Sequence, residues 1–127
     1  MSADRHNSGK LRADLLPPEW ELELSRVLSQ GAIKYSSHNW LKGMPYSNCV
    51  GSLKRHLLKY LLGEKYDKET GCHHLAHVAW NALAIFSYDL RGIGENDLRH
   101  LNPTWPESSA HQVDNIPEFK PIEVKHV

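Results

Sequence analysis

His73-His74-Leu75-Ala76-His77-Val78-Ala79-Trp80-Asn81-Ala82-Leu83-Ala84-Ile85-Phe86 is the stretch whose reading decides the fold. It contains no Gly or Pro, and its pattern predicts a helix over about 72–91 that is apolar nearly all round. A helix of that kind belongs in the centre of a fold or at a subunit interface. Yet His74, His77 and Asn81 fall on one stripe of it, three and four apart. A buried polar group left without a partner costs about 1–3 kcal/mol. The stripe therefore points to an internal hydrogen-bond network or to a ligand pocket.

Upstream, Ser47 is placed to cap a second helix that runs to about Leu62, with Val50, Leu53, Leu57, Tyr60 and Leu61 as its apolar face. Arg55, His56 and Lys59 sit to the side of that face, and Gly63 ends the helix. The charged run from Glu64 to Gly71 reads as a turn between helices. A first helix opens at Pro17-Pro18, where proline suits the first turn and Glu19, Glu21 and Glu23 suit the positive helix end. Trp20, Leu24, Val27, Leu28 and Gly31 form its apolar face, and Glu19, Glu23, Arg26, Gln30 and Lys34 run down the other side. Tyr35 to Ser47 reads as a turn-rich loop. Downstream of Gly92 the pattern dissolves, with one further helical turn at Leu98–Leu101. The expected class is all-α: three main helices in one domain over 1–101, then an extended Pro-containing tail over 102–127.

Composition bounds the function. The 127 residues carry 15 Lys+Arg and 15 Asp+Glu, which excludes a strongly basic nucleic-acid binder and an acidic tail protein. No apolar run approaches the roughly 20 residues of a membrane span. The polar start, Met1 to Lys10, carries no signal core, and two cysteines, Cys49 and Cys72, make no disulfide framework, so the expected setting is the cytoplasm. A core of this size is marginal alone, so a homo-oligomer is expected.

Nine histidines raise the question of a metal. His73 and His77 are four apart and suit zinc on a helix, but His74 stands where metalloprotease helices carry a glutamate, so zinc is the lesser candidate. Magnesium or manganese would need oxygen ligands. Glu64 and Asp67, three apart, offer them at the end of the second helix, as do Glu19 and Glu23 on the first. Lys10, Arg12, Lys34, Arg55 and His56 are spread over three segments and would make a local phosphate site if they converge. There is no Gly-rich phosphate loop and no Ser/His/Asp order.

The blocks Lys10-Leu11-Arg12-Ala13-Asp14-Leu15-Leu16-Pro17-Pro18, Gly31-Ala32-Ile33-Lys34-Tyr35, Asn39-Trp40-Leu41-Lys42-Gly43, Arg55-His56, Gly63-Glu64, Asp67, Gly71, His74-Leu75-Ala76-His77 and Asn81 carry a resemblance. In order and spacing they resemble the phage dATP/dGTP diphosphohydrolases (MazZ-like), over roughly residues 10 to 90. The resemblance implies hydrolysis of a purine deoxynucleoside triphosphate to monophosphate and pyrophosphate, a phage origin and hence an infected host's cytoplasm. It also implies kinship with the all-α MazG-type pyrophosphohydrolases, which are oligomers using magnesium or manganese. Those enzymes carry a Glu-rich motif on one helix and Glu-x-x-Asp on the next, whereas Arg55 and His56, then His77 and Asn81, occupy the corresponding helices here.

The metal set of those enzymes therefore does not carry over residue by residue, and Glu64 and Asp67 are the carboxylate candidates for a metal, with His74 or His77 nearby. Lys34 and Arg55 would hold the phosphates, with Lys10 and Arg12 as further cations. His56 or His77 would accept the water's proton, with Asp67 essential to turnover. Trp40 or Tyr35 would stack on the purine, and Asn39 or Asn81 would read its edge. The alternatives are a nucleotide-sequestering protein of the same fold and a His-rich metal phosphohydrolase of another helical class.

Overall fold

The computed structural model describes residues 3–6, 9–104 and 116–124. Among them it is all-α, with three helices: α1, Pro18–Lys34; α2, Tyr46–Leu61; and α3, His74–Arg91. Short 3-10 turns stand at Ala13–Leu15, Asn39–Lys42 and Arg99–Leu101. No strand is formed among the described residues; backbone pairing outside the helices includes isolated bridges at Pro45–Glu95 and Tyr66–His73. The tail expected over 102–127 falls in part on 105–115 and 125–127, which lie outside the described residues. So do 1–2 and 7–8 of the N-terminal stretch.

Helices α2 and α3 are the main packed pair, and α1 lies against α3. The buried row of α3 is His74, His77, Asn81, Ala84 and Tyr88, at steps of three and four. Facing it, α2 presents Tyr46, Cys49, Leu53 and His56, which share one side by the same spacing. Because the pair is antiparallel, the seam divides into two halves. Tyr46, Cys49, Ala84 and Tyr88 make an apolar half, with Trp40 and Met44 packed on it. His56, His74 and His77 make a polar half at the other end. Trp80 joins the apolar half to a second cluster, Val27, Cys72 and Ala76, where α1 docks.

The seam differs from the apolar face expected of α2. Leu61 is 71% exposed, because the contact row follows residues 46, 49, 53 and 56 and not 50, 53, 57 and 61. On α1 only Val27 is buried, and Trp20 is 59% exposed, since α1 packs mainly against α3 along one line. The outer side of α3, with Leu75, Leu83 and Phe86, is also exposed in the single chain.

Ser47 does not cap α2. Pro45 precedes the helix, and both the N–H and the hydroxyl of Ser47 donate to the Asp97 carboxylate, which holds that carboxyl below its usual range. His73 caps α3 instead, its Nδ1 accepting the Leu75 N–H at 3.0 Å. Gly43 and Gly94 meet backbone to backbone. A Cβ on Gly43 would stand 2.7 Å from Gly94 N, and one on Gly94 2.7 Å from Met44 O. This contact ties the Trp40 loop to the exit of α3. The Tyr88 hydroxyl completes the tie by donating to the Trp40 carbonyl, and burial pushes its pKa up to about 12.

Candidate functional site

A cleft of about 1010 Å³ opens between the three helices and the loop carrying Trp40. Lys34, Tyr35, Asn39, Trp40, Arg55, His56, Asp67, His77 and Asn81 all line it. Glu64 and His74 do not line it; they stand behind its wall, with His74 fully buried. Lys10 and Arg12 lie on the exposed N-terminal stretch, where Arg12 pairs with Asp14 at 2.7 Å.

The polar half of the seam is built from side chains of two helices and one turn. His56 Nδ1 is 2.9 Å from His74 Nδ1, so one ring donates and the other accepts. The His56 and His77 rings stack with centroids 4.1 Å apart and planes 8° from parallel. Asp67 Oδ2 accepts from the Thr70 hydroxyl at 2.8 Å and from the Thr70 N–H at 3.2 Å. The same hydroxyl is 2.8 Å from His77 Nε2. A hydroxyl carries one proton, so if Thr70 donates to Asp67 it accepts from His77 Nε2–H. Asp67 also closes its own turn: its N–H donates to the Cys72 carbonyl and its carbonyl accepts from Gly71 N–H.

These surroundings shift the titrating groups. Burial, with His77 alongside, pushes His56 down to about 4, so its ring is neutral near pH 7. Burial likewise lowers His77. Burial acts to raise the Asp67 carboxyl, but the Thr70 hydrogen bonds outweigh it and hold the group below its ordinary value. Neutral imidazoles beside an ionised carboxylate are what a divalent cation requires of its ligands.

His56, Asp67 and His74 each present a ligand atom within 4.8 Å of the others. The 2.9 Å between the two imidazole nitrogens matches the edge of about 3 Å expected for adjacent ligands at about 2.1 Å from one ion. His74 Nε2, buried and with no hydrogen-bond partner, is turned toward Glu64, so it is Nδ1 that faces His56. The donor set therefore fits a divalent cation. Two imidazoles and a carboxylate suit a transition ion better than magnesium, which keeps to oxygen and water.

The rest of the cleft is cationic. Lys34, Arg55, Lys59 and Arg91 face only the carboxylates of Asp67 and Glu69 among its lining residues, although the whole chain is neutral. Lys34 Nζ is 2.6 Å from Glu69, and Gln30 donates to the Thr70 carbonyl at 3.0 Å, which ties the end of α1 to the acidic turn. Asn81 donates to the His77 carbonyl at 2.8 Å and to Ser52 at 3.3 Å. Trp40 packs edge-on to Trp80, centroids 6.2 Å apart. Sequence reasoning missed Thr70, Lys59, Arg91 and Trp80 as cleft residues. Lys59, one turn beyond Arg55 on α2, had a readable signal in that spacing. Thr70 had one in its place three residues after Asp67.

The fold and site define an all-α domain with a histidine–aspartate centre on the wall of a locally cationic cleft. A family model described as dATP/dGTP diphosphohydrolase, N-terminal, matches residues 2–98, and the chain belongs to that family. It is 35% identical over 86 residues to a protein of Salmonella phage PMBT28 named dATP/dGTP diphosphohydrolase. That match covers 68% of this chain and 29% of the relative, so the chain spans less than a third of the relative's length. No solved structure matches it. No helix among the described residues is long and apolar enough to cross a membrane.

Proposed function

We propose that the chain is a metal-dependent nucleoside triphosphate diphosphohydrolase domain that acts on dATP or dGTP, releasing the monophosphate and pyrophosphate. The observation that carries this reading is the His56, Asp67 and His74 donor set, reached from a cleft with an excess of cationic side chains. The name of the phage relative supplies the substrate class.

In this reading the site would take Mn2+, or a similar transition ion, before Mg2+, and such an ion would supply charge neutralisation at the phosphates. His56, a neutral ring near pH 7, Asp67, an ionised carboxylate, and His74 would hold it. Lys34, Arg55, Lys59 and Arg91 clamp the triphosphate. Water attacks the α-phosphorus, the bond to the α–β bridging oxygen breaks, and pyrophosphate leaves with that oxygen. His77 takes the proton of the attacking water, with Thr70 setting its orientation. Tyr35 and Trp40 offer faces for the purine, and Asn39 and Asn81 offer polar groups to its edge. The exposed apolar side of α3, with Leu75, Leu83 and Phe86, pairs with a second copy of the chain.

The test is a nucleotide panel with and without Mn2+, read for pyrophosphate against orthophosphate. Pyrophosphate from dATP or dGTP, lost in Asp67→Asn while the fold persists, supports the reading. Bound but intact nucleotide identifies a sequestering protein instead. Full turnover by Asp67→Asn removes Asp67 from the mechanism.

A further inference from the structure

We propose that Glu64 is the positioning residue of the metal centre: its carboxylate holds the His74 proton on Nε2 and so leaves Nδ1 bare for a cation. This rests on the metal reading above and assigns a role to a residue behind the cleft wall.

Three observations converge. First, the backbone places Glu64 beside His74. Gly63, at φ 104°, ends α2, and the Glu64 N–H returns to the Lys59 carbonyl at 2.9 Å. The His74 N–H donates to the Lys65 carbonyl at 3.0 Å, hooking the first turn of α3 to the same corner. Second, the His74 ring is fully buried and its two nitrogens meet different surroundings. Nδ1 faces His56 Nδ1 at 2.9 Å, and Nε2 faces Glu64 Oε1 at 3.5 Å. Third, the buried Nε2 has no hydrogen-bond partner elsewhere, and the Glu64 carboxylate it faces stands at 3.5 Å, just beyond hydrogen-bond length.

The tautomer follows from these distances. A proton on Nδ1 would leave a bare Nε2 lone pair turned toward a carboxylate oxygen, which is repulsive and unpaired. A proton on Nε2 points at that oxygen and leaves Nδ1 free to accept from His56. A cation at Nδ1 would leave Nε2–H as the remaining donor of the ring, directed at Glu64. The arrangement is a carboxylate–histidine–metal relay, in which the carboxylate orients the ring without touching the ion. Glu64 is then an outer partner and not a ligand.

The experiment uses the full chain as wild type, Glu64→Ala and Glu64→Gln. Nitrogen-15 shifts of the His74 ring in metal-free protein report the tautomer, and calorimetry with Mn2+ reports affinity. The proposal expects Nε2–H in the wild type and a shift toward Nδ1–H in Glu64→Ala. Mn2+ affinity should fall about 10- to 100-fold in Glu64→Ala, with the metal-free melting temperature retained. Glu64→Gln, whose amide oxygen still accepts, falls between the two and guards against misfolding of the alanine variant. An Nδ1–H tautomer in the wild type, or equal Mn2+ affinity in wild type and Glu64→Ala, overturns the role of Glu64 alone. Absence of Mn2+ binding by the wild type overturns the metal reading on which it rests.

Discussion

Replacing Thr70 with valine removes one hydroxyl and nothing else of size, and the structure says how much that hydroxyl holds. It bonds Asp67 Oδ2 at 2.8 Å, His77 Nε2 at 2.8 Å and the Cys72 N–H at 3.2 Å. A hydrogen bond to a charged group contributes about 1.5–3 kcal/mol and a neutral one about 1 kcal/mol. Thr70 is half-buried and water from the cleft can replace part of this, so the expected loss is about 2–4 kcal/mol. For a domain of this size that lowers the melting temperature by roughly 10 °C or more. The hydroxyl is also the chief reason that the Asp67 carboxyl sits below its ordinary value. The native form thus keeps Asp67 ionised at a pH where the unfolded chain takes up a proton, and that stability is lost as pH falls through the native value. In Thr70→Val the acid limb of the melting curve moves to higher pH. Thermal melts of wild type, Thr70→Val and Thr70→Ser from pH 3 to 7 measure both effects. A valine variant within about 0.5 kcal/mol of wild type, the usual range for inconsequential surface changes, would refute the hub reading. So would a serine variant as weak as valine.

His56, with a native value of about 4 against an ordinary 6.5, binds fewer protons folded than unfolded between those limits. Stability is therefore complete above about pH 6.5 and declines toward pH 4, a slope that His56→Gln flattens in pH-dependent melts. Tyr88→Phe removes the bond to the Trp40 carbonyl, which still accepts the Gly43 N–H, so the cost is about 1 kcal/mol in denaturant melts and not the larger cost of an orphaned group. Arg55→Ala raises KM for the nucleotide about tenfold or more in steady-state assays while the melting temperature stays within a few degrees, since the exposed guanidinium lies over Gly51. Phe86→Glu puts a charge on the exposed side of α3 and shifts the chain toward monomer by light scattering.

The three helices were legible because their signals are local. Pro17-Pro18 opens α1, Gly63 ends the region of α2, and α3 carries a long unbroken apolar pattern. The polar stripe His74, His77 and Asn81 was legible for the same reason, and each of the three is buried. Less legible was which side of α2 meets α3. Its most apolar line, through Leu57 and Leu61, is not its contact line, because packing is set by where the neighbour lies and α1 leaves that side open. The capping role given to Ser47 failed because Asp97, 50 residues away, claims the side chain. The pairing of His56 with His74 is likewise a product of helix antiparallelism, which no spacing within either helix encodes.

The meeting of Gly43 with Gly94 has a mechanical consequence. Two backbones in contact without side chains between them make a stiff seam, so the wall bearing Trp40 and the segment leaving α3 travel as one piece. The same seam runs on through Gly94 to Asp97, whose carboxylate anchors Ser47, so the start of α2 is fastened to it as well.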